Sequence, residues 1–357
     1  MHHRLLAHMF PFPGEKGKKY KGKEVLDILK ELFTEEEAVL ASNLSFAPED
    51  VKTIARRVGK KVEEIVPILD KMAKKGLIYT DEKKSVRRYC LLLLVPGMME
   101  LQFMKGEESP GKVRLARLFD DFFEMMGADF YDVDTPLPRV LPVESKIPPV
   151  LVLPYEKASQ YINDSSYIAV SICYCRHQAK LLGKGCKRPL DVCMTFGPFA
   201  EFAVKHGFGR KVSTKEALEV IDRCEEAGLV HLTENCQEKI TFICNCCGCC
   251  CGFMRGITKY DKPNSIASSN FLCAVDEGSC SGCELCIERC YVKALSMSGG
   301  IAKVDTNRCI GCGLCSVVCP TDSMSLVRKK KVSTPKKDSK ELRNTVMMET
   351  VARMSRK

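Results

Sequence analysis

Cys280-Ser-Gly-Cys283-Glu-Leu-Cys286-Ile-Glu-Arg-Cys290, followed by Cys309-Ile-Gly-Cys312-Gly-Leu-Cys315-Ser-Val-Val-Cys319-Pro320, is the stretch on which the reading of this chain turns. Both runs have the spacing C-x₂-C-x₂-C-x₃-C. That spacing holds [4Fe–4S] clusters, and in a doublet the fourth cysteine of each run reaches across to the cluster of the other. The expected ligand sets are Cys280, Cys283, Cys286 and Cys319 for one cluster, and Cys309, Cys312, Cys315 and Cys290 for the second. Gly282, Gly311 and Gly313 fall where the loop must turn tightly, in conformations that glycine adopts freely. Pro320 follows the second run, whereas Tyr291 follows the first. Structural zinc prefers isolated cysteine pairs with closed four-ligand sets. Disulfide frameworks belong to short secreted chains. Both fit this doublet less well than a pair of clusters.

On these residues the segment 275–327 resembles the bacterial-type two-cluster ferredoxin domain, over about a seventh of the chain. The resemblance implies a pseudo-symmetric, ferredoxin-like fold of two short strand–helix units, with electron transfer as its activity.

The remaining composition agrees with metal chemistry. There are 22 cysteines in 357 residues, and Met1–Phe10 lacks the apolar core of an export signal. A cytoplasmic, reducing location is therefore expected. Solvent-accessible low-potential clusters are oxygen-sensitive, which points to an anaerobic setting. No stretch approaches the eighteen apolar residues of a membrane span. The net charge is +10, but the segment from Arg328 onward holds eleven Lys or Arg against three acids, leaving the rest of the chain close to neutral. This basic tail reads as a linker and a weakly amphipathic helix marked by Leu342, Val346, Met347 and Val351.

The expected fold class is α+β in several domains: residues 20–95, a helical connector and Pro-rich linker at 96–150, a cysteine-rich α/β region at 151–274, the ferredoxin-like domain at 275–327, and the tail at 328–357. In the first, helices are expected at Glu24–Phe33, from Thr34, at Glu49–Val58 and at Lys61–Lys75, with strands at Leu77–Tyr79 and Tyr89–Val95 flanking a charged turn, Asp81–Arg88. This order resembles a winged-helix domain. Its would-be recognition helix begins Lys60-Lys61-Val62-Glu63-Glu64, and two carboxylates there oppose phosphate binding. Protein docking is expected rather than a nucleic-acid partner.

Two further constellations lie upstream of the doublet. Strand Tyr167–Ile172 runs into Cys173-Tyr-Cys175-Arg176-His177, followed by Cys186 and Cys193. Four thiols suit a third iron–sulfur cluster or a structural zinc. Arg176, His177, Lys184, Lys187 and Arg188 would offset thiolate charge, with His177 a hydrogen-bond donor rather than a ligand. The pattern leaves a cluster, zinc and unligated thiols open, the first being favoured. The second constellation, Cys244-Asn-Cys246-Cys247-Gly-Cys249-Cys250-Cys251, is too dense for one cubane. If Cys249–Gly256 opens a helix, its thiols serve separate centres, some completing clusters with Cys224, Cys236 or Cys273. Cys90 reads as a buried strand residue.

Cys246–Gly248 is similar to the CCG element of heterodisulfide reductase cysteine-rich domains, though the wider spacing of those domains is absent. Ser171–Cys251 as a whole resembles multi-cluster 4Fe–4S proteins of anaerobes, which implies an electron-transfer or accessory redox role. The dinucleotide fingerprint, P-loop, HExxH and nucleophile elbow are all missing from the sequence. The expected function is thus an electron-transfer protein or subunit rather than a stand-alone enzyme. Two [4Fe–4S] clusters and one or more additional iron–sulfur clusters would serve a partner protein or oxidoreductase complex. The alternatives are a redox-sensing transcriptional regulator and an oxidoreductase with an open cluster site.

Overall fold

The computed structural model describes residues 1–9 and 22–355. Residues 20–21 of the expected first domain and 356–357 of the tail lie outside the described residues.

The chain begins with helices His2–Met9, Gly22–Leu32, Glu35–Ala41, Val51–Val58 and Val62–Lys74. Thr34 caps the third as expected. Its hydroxyl accepts from the Glu37 amide at 3.2 Å while its own amide donates to the Glu37 carboxylate at 2.9 Å. Glu49–Asp50 is a short strand rather than helix, and Asp50 caps Val51–Val58 by accepting from the Lys52 amide at 2.8 Å. The charged segment 81–88 is mostly paired strand. Ile78–Lys83 and Val86–Leu91 form a hairpin turning only at Lys84–Ser85, and Arg88 meets Asp81 across it at 2.5 Å. Opposite charges directly across two strands support the pairing. The order of this three-stranded antiparallel sheet is Glu49–Asp50, Val86–Leu91, Ile78–Lys83.

The middle of the chain is organised by a six-stranded sheet in the order Pro138–Leu141, Val230–Glu234, Phe242–Cys246, Asp191–Phe196, Ile168–Ile172, Arg210–Val212. Every neighbouring pair is antiparallel. The region is therefore not built from the parallel β–α–β units that an α/β description implies, and helix and strand mix in the α+β manner. Pro138–Leu141, within the passage expected to be a linker, is a wholly buried edge strand. Its Arg139 is buried and donates to the carbonyls of Tyr155 and Cys236. Pro at a strand's first residue removes only an edge donor.

One contiguous core runs from Leu5 through the sheet to Leu314. Helix Gly197–Lys205 joins the two parts, since Phe199 stacks on Tyr79 of the hairpin and Phe202 packs against it at a tilt. Helix Pro110–Met126, capped by Ser109, packs against helix Tyr174–Leu181.

Beyond the sheet, Phe271–Val275 pairs antiparallel with Met324–Arg328, and Leu295–Ser298 with Ile301–Val304. Short helices Leu285–Arg289 and Leu314–Val317 each follow a cysteine loop. The tail is ordered against the body. Lys336–Asp338 pairs in parallel with Cys236–Glu238, and helix Ser339–Ser355 buries Leu342 but leaves Met347 and Met348 exposed. No helix among the described residues is long and apolar enough to cross a membrane.

Candidate metal centres

The two cysteine runs at 280–319 fold back on each other around two voids. One is lined by Cys290, Cys309, Cys312 and Cys315, together with Cys273. The other is lined by Cys280, Cys283, Cys286 and Cys319. Each void thus faces three cysteines of one run and the last cysteine of the other. The turns that achieve this need left-handed backbone. Gly282 and Gly311 have φ of +69° and +67°, and a Cβ on Gly311 would lie 2.1 Å from the carbonyl oxygen of Phe271. The two runs differ at one equivalent position, where Gly313 has φ +84° and Glu284 takes φ +61°. A non-glycine residue there carries strain.

The surroundings pull these thiols in both directions. Backbone N–H groups of Ala302 and Gly282 hold Cys280 below its ordinary range. Burial opposes ionisation of Cys319, but the hydroxyls of Ser323 and Thr321 bring it down to about 7. Burial pushes Cys312 up. Cys315 is lowered chiefly by Cys273, whose sulfur lies 3.4 Å away. Cys273 sits on strand Phe271–Val275 and also meets the Met324 sulfur at 3.5 Å. It therefore belongs to this region rather than to the upstream thiols. Its inward place on an alternating strand between Phe271 and Val275 was the available sequence signal.

The ten upstream thiols divide in a way that chain order does not suggest. Cys173 and Cys175 stand at the start of helix Tyr174–Leu181, Cys193 on strand Asp191–Phe196, and Cys244 and Cys246 on one face of strand Phe242–Cys246. The chain then turns at 247–251 instead of entering a helix, which begins only at Arg255. Thiol contacts run from Cys173 to Cys193, Cys244, Cys246, Cys251 and Cys175, with Cys175 close to Cys173 again. All six are buried. Cys186 lies elsewhere, grouped with Cys247, Cys249 and Cys250, their sulfurs all within 4.8 Å of one another. The four cysteines Cys173, Cys175, Cys186 and Cys193 are therefore not gathered at a single point.

Between the two groups lies Arg176, 1% exposed. Its guanidinium donates to the carbonyls of Pro189 and Asn245 and lies 4.0 Å from the Cys247 sulfur. Its Nη2 has no partner among the described residues. The thiols of Cys173, Cys193, Cys247 and Cys246 stand around it and, when ionised, favour the cation against burial. A buried cation needs compensating negative charge, and of these four only Cys247 is lowered by its surroundings, whereas Cys173, Cys193 and Cys246 are pushed up. The Cys247 thiol is lowered to about 4, first by Cys250 and then with help from Arg176. Behind the strand, Asn245 donates to the Val192 carbonyl at 2.6 Å and meets His231 at 2.5 Å, fixing the face that carries Cys244 and Cys246.

Of the other basic residues, Arg188 lies against Cys186, whereas Lys184 pairs with Asp120 and His177 bonds the Phe103 carbonyl at 2.9 Å, away from the thiols. Cys236 reaches Ser339 of the tail helix. Cys90 is buried in its strand, where desolvation pushes its thiol up to about 12.

Tyr291, standing where the first run lacks a proline, joins the two regions. Its hydroxyl donates to the Gly228 carbonyl at 2.6 Å, and Arg188 lies over its ring. The ring rests on Gly248, where a Cβ would come within 2.7 Å of it. Thus the residue after Cys290 packs against the residue between Cys247 and Cys249.

Comparison with protein families matches residues 302–325 to a 4Fe-4S binding domain, a span that includes Cys309, Cys312, Cys315 and Cys319. No curated protein and no solved structure matches the chain. The C-terminal region is thus ferredoxin-type, and with the grouped cysteines upstream it points to iron–sulfur electron transfer.

Proposed function

We propose that the chain is an electron-transfer protein or subunit carrying two ferredoxin-type [4Fe–4S] clusters and a further cluster in its middle region, working with a partner oxidoreductase. The observation that carries this reading is the pair of voids, each facing three cysteines of one run and the last of the other. Cys280, Cys283, Cys286 and Cys319 would hold one cluster, and Cys290, Cys309, Cys312 and Cys315 the other. Such clusters supply reversible one-electron exchange. The chain's own residues supply thiolates, glycine turns that let backbone approach, and the Cys273 S–H beside Cys315. The further cluster is assigned to the six-thiol array of Cys173, Cys175, Cys193, Cys244, Cys246 and Cys251, where Arg176 balances negative charge. Tyr291 supports a connected path, because it packs the doublet onto the turn that follows this array.

Iron and acid-labile sulfide per chain after anaerobic isolation test the reading. About twelve irons are expected, counting four per cubane, and Cys193→Ser should remove about a third of them. Eight irons in the wild type would restrict the function to the doublet, and none would refute it.

The winged-helix-like N-terminal region is proposed as a protein-docking module. Three of its four arginines are engaged by carboxylates, Arg57 with Glu49, Arg87 with Asp70 and Arg88 with Asp81. Those three guanidiniums are thereby drawn away from phosphate. A gel shift at physiological salt showing sequence-specific duplex binding would favour the regulator instead.

A further inference from the structure

The sulfurs of Cys186, Cys247, Cys249 and Cys250 are spaced unlike those of the doublet or the six-thiol array. The Cys186–Cys247 and Cys249–Cys250 sulfurs are 3.9 Å and 3.7 Å apart, and all four lie within 4.8 Å of one another. A tetrahedral ion with metal–sulfur bonds of about 2.3 Å sets its sulfurs about 3.8 Å apart. Among the described residues, no three other thiols meet that closely. The eight cysteines of the doublet instead stand around voids. Space for a polynuclear cluster and space for one ion are thus both present, in different places.

We propose that Cys186, Cys247, Cys249 and Cys250 form a tetrathiolate site for a single divalent ion of the zinc class. Four thiolates around a divalent ion leave two negative charges. Two guanidiniums answer them, Arg176 at 4.0 Å from Cys247 and Arg188 against Cys186. Charge balance alone would also suit a cubane, and the spacing decides between them. The ligands come from chain segments 61 residues apart, the loop after helix Tyr174–Leu181 and the turn after strand Phe242–Cys246. A bound ion would clamp these segments together and hold Gly248 in place under Tyr291. Zinc has no accessible redox change, so the site is a clamp beside the electron path and not a station on it. The exposure of Cys249 leaves the site open to metal entry.

The test is metal content of the full chain isolated anaerobically, with cobalt substitution as the spectroscopic probe. About one zinc per chain is expected, and cobalt-loaded protein should show the visible bands of tetrahedral tetrathiolate cobalt. Cys249→Ser should lose most of the zinc while iron, sulfide and cluster EPR signals stay unchanged. Cys249→His, which keeps a fourth ligand, should restore zinc. A quartet variant that loses about four irons, counting a cubane, or one iron alone, would overturn the proposal. Wild-type protein that takes up neither zinc nor cobalt would overturn it on unaltered chain. Absence of iron with zinc retained would sink the electron-transfer reading and leave this one standing.

Discussion

The cysteines at 280–319 and those at 173–251 are two solutions to gathering thiols. In the first, the cysteines sit within forty residues, and spacing alone brings each set round its void, with glycines making the turns. In the second, thiols arrive from a helix start, a loop, two strands and a turn, and a buried arginine stands among them. The first region tolerates little change in its loops. The second depends on the whole sheet being assembled, because antiparallel pairing sets Cys193 beside Cys244. Local spacing makes a motif that a family model detects at residues 302–325, in the second run, whereas tertiary gathering leaves no compact motif.

The sharpest way to break this contrast is to remove one ligand from the doublet. Cys312→Ser should cost about half of the doublet's iron, about four atoms, and leave the upstream thiols' metal untouched, as read by iron assay and EPR. Loss of all metal would mean that the regions are not separable.

Arg176→Met probes the other side. Removing the buried cation beside the lowered Cys247 thiol should destabilise the chain by about 3–5 kcal/mol, measured by anaerobic urea unfolding. An effect as small as that of a surface arginine would mean that the upstream thiols are neutral and Arg176 is held by its carbonyls alone.

Gly311→Ala should cost about 2–4 kcal/mol through forced left-handed backbone and a clash with the Phe271 carbonyl. The same denaturation experiment checks it, and the loss should fall on the doublet's cluster content first. Tyr291→Pro would give the first run the proline that follows the second yet remove the hydroxyl bond to Gly228. The expected cost is about 1–2 kcal/mol, with faster hydrogen exchange around 246–250. Unchanged exchange there would show that the two regions do not lean on each other. The smallest effect is expected from Cys273→Ala. Loss of the thiol 3.4 Å from the Cys315 sulfur should shift one cluster's potential with little change in stability, since hydrogen bonds to sulfur tune potential.

Much of the element structure was legible. The Thr34 cap and helices such as Val62–Lys74 lie close to where capping and periodicity put them. Segment 81–88 was less so, because its charges look like a turn and are in fact cross-strand partners. Pro138–Leu141 reads as linker because prolines flank it, yet it is buried by partners nearly a hundred residues away. For the upstream thiols, residue types and positions were readable while their grouping was not. Cys186 is closer in sequence to Cys193 but lies with Cys247, Cys249 and Cys250.

The sequence by itself determined that the C-terminal region is of ferredoxin type, because eight cysteines and three turn glycines fall at spacings that only local backbone geometry has to satisfy. It also determined that ten more thiols need an explanation. Only the tertiary structure decided how those ten divide, which arginines reach them, and why tyrosine replaces proline after Cys290. Those outcomes depend on strand register and on packing between segments far apart in the chain, where a side chain's neighbours are set by the assembled sheet and not by its place in the sequence.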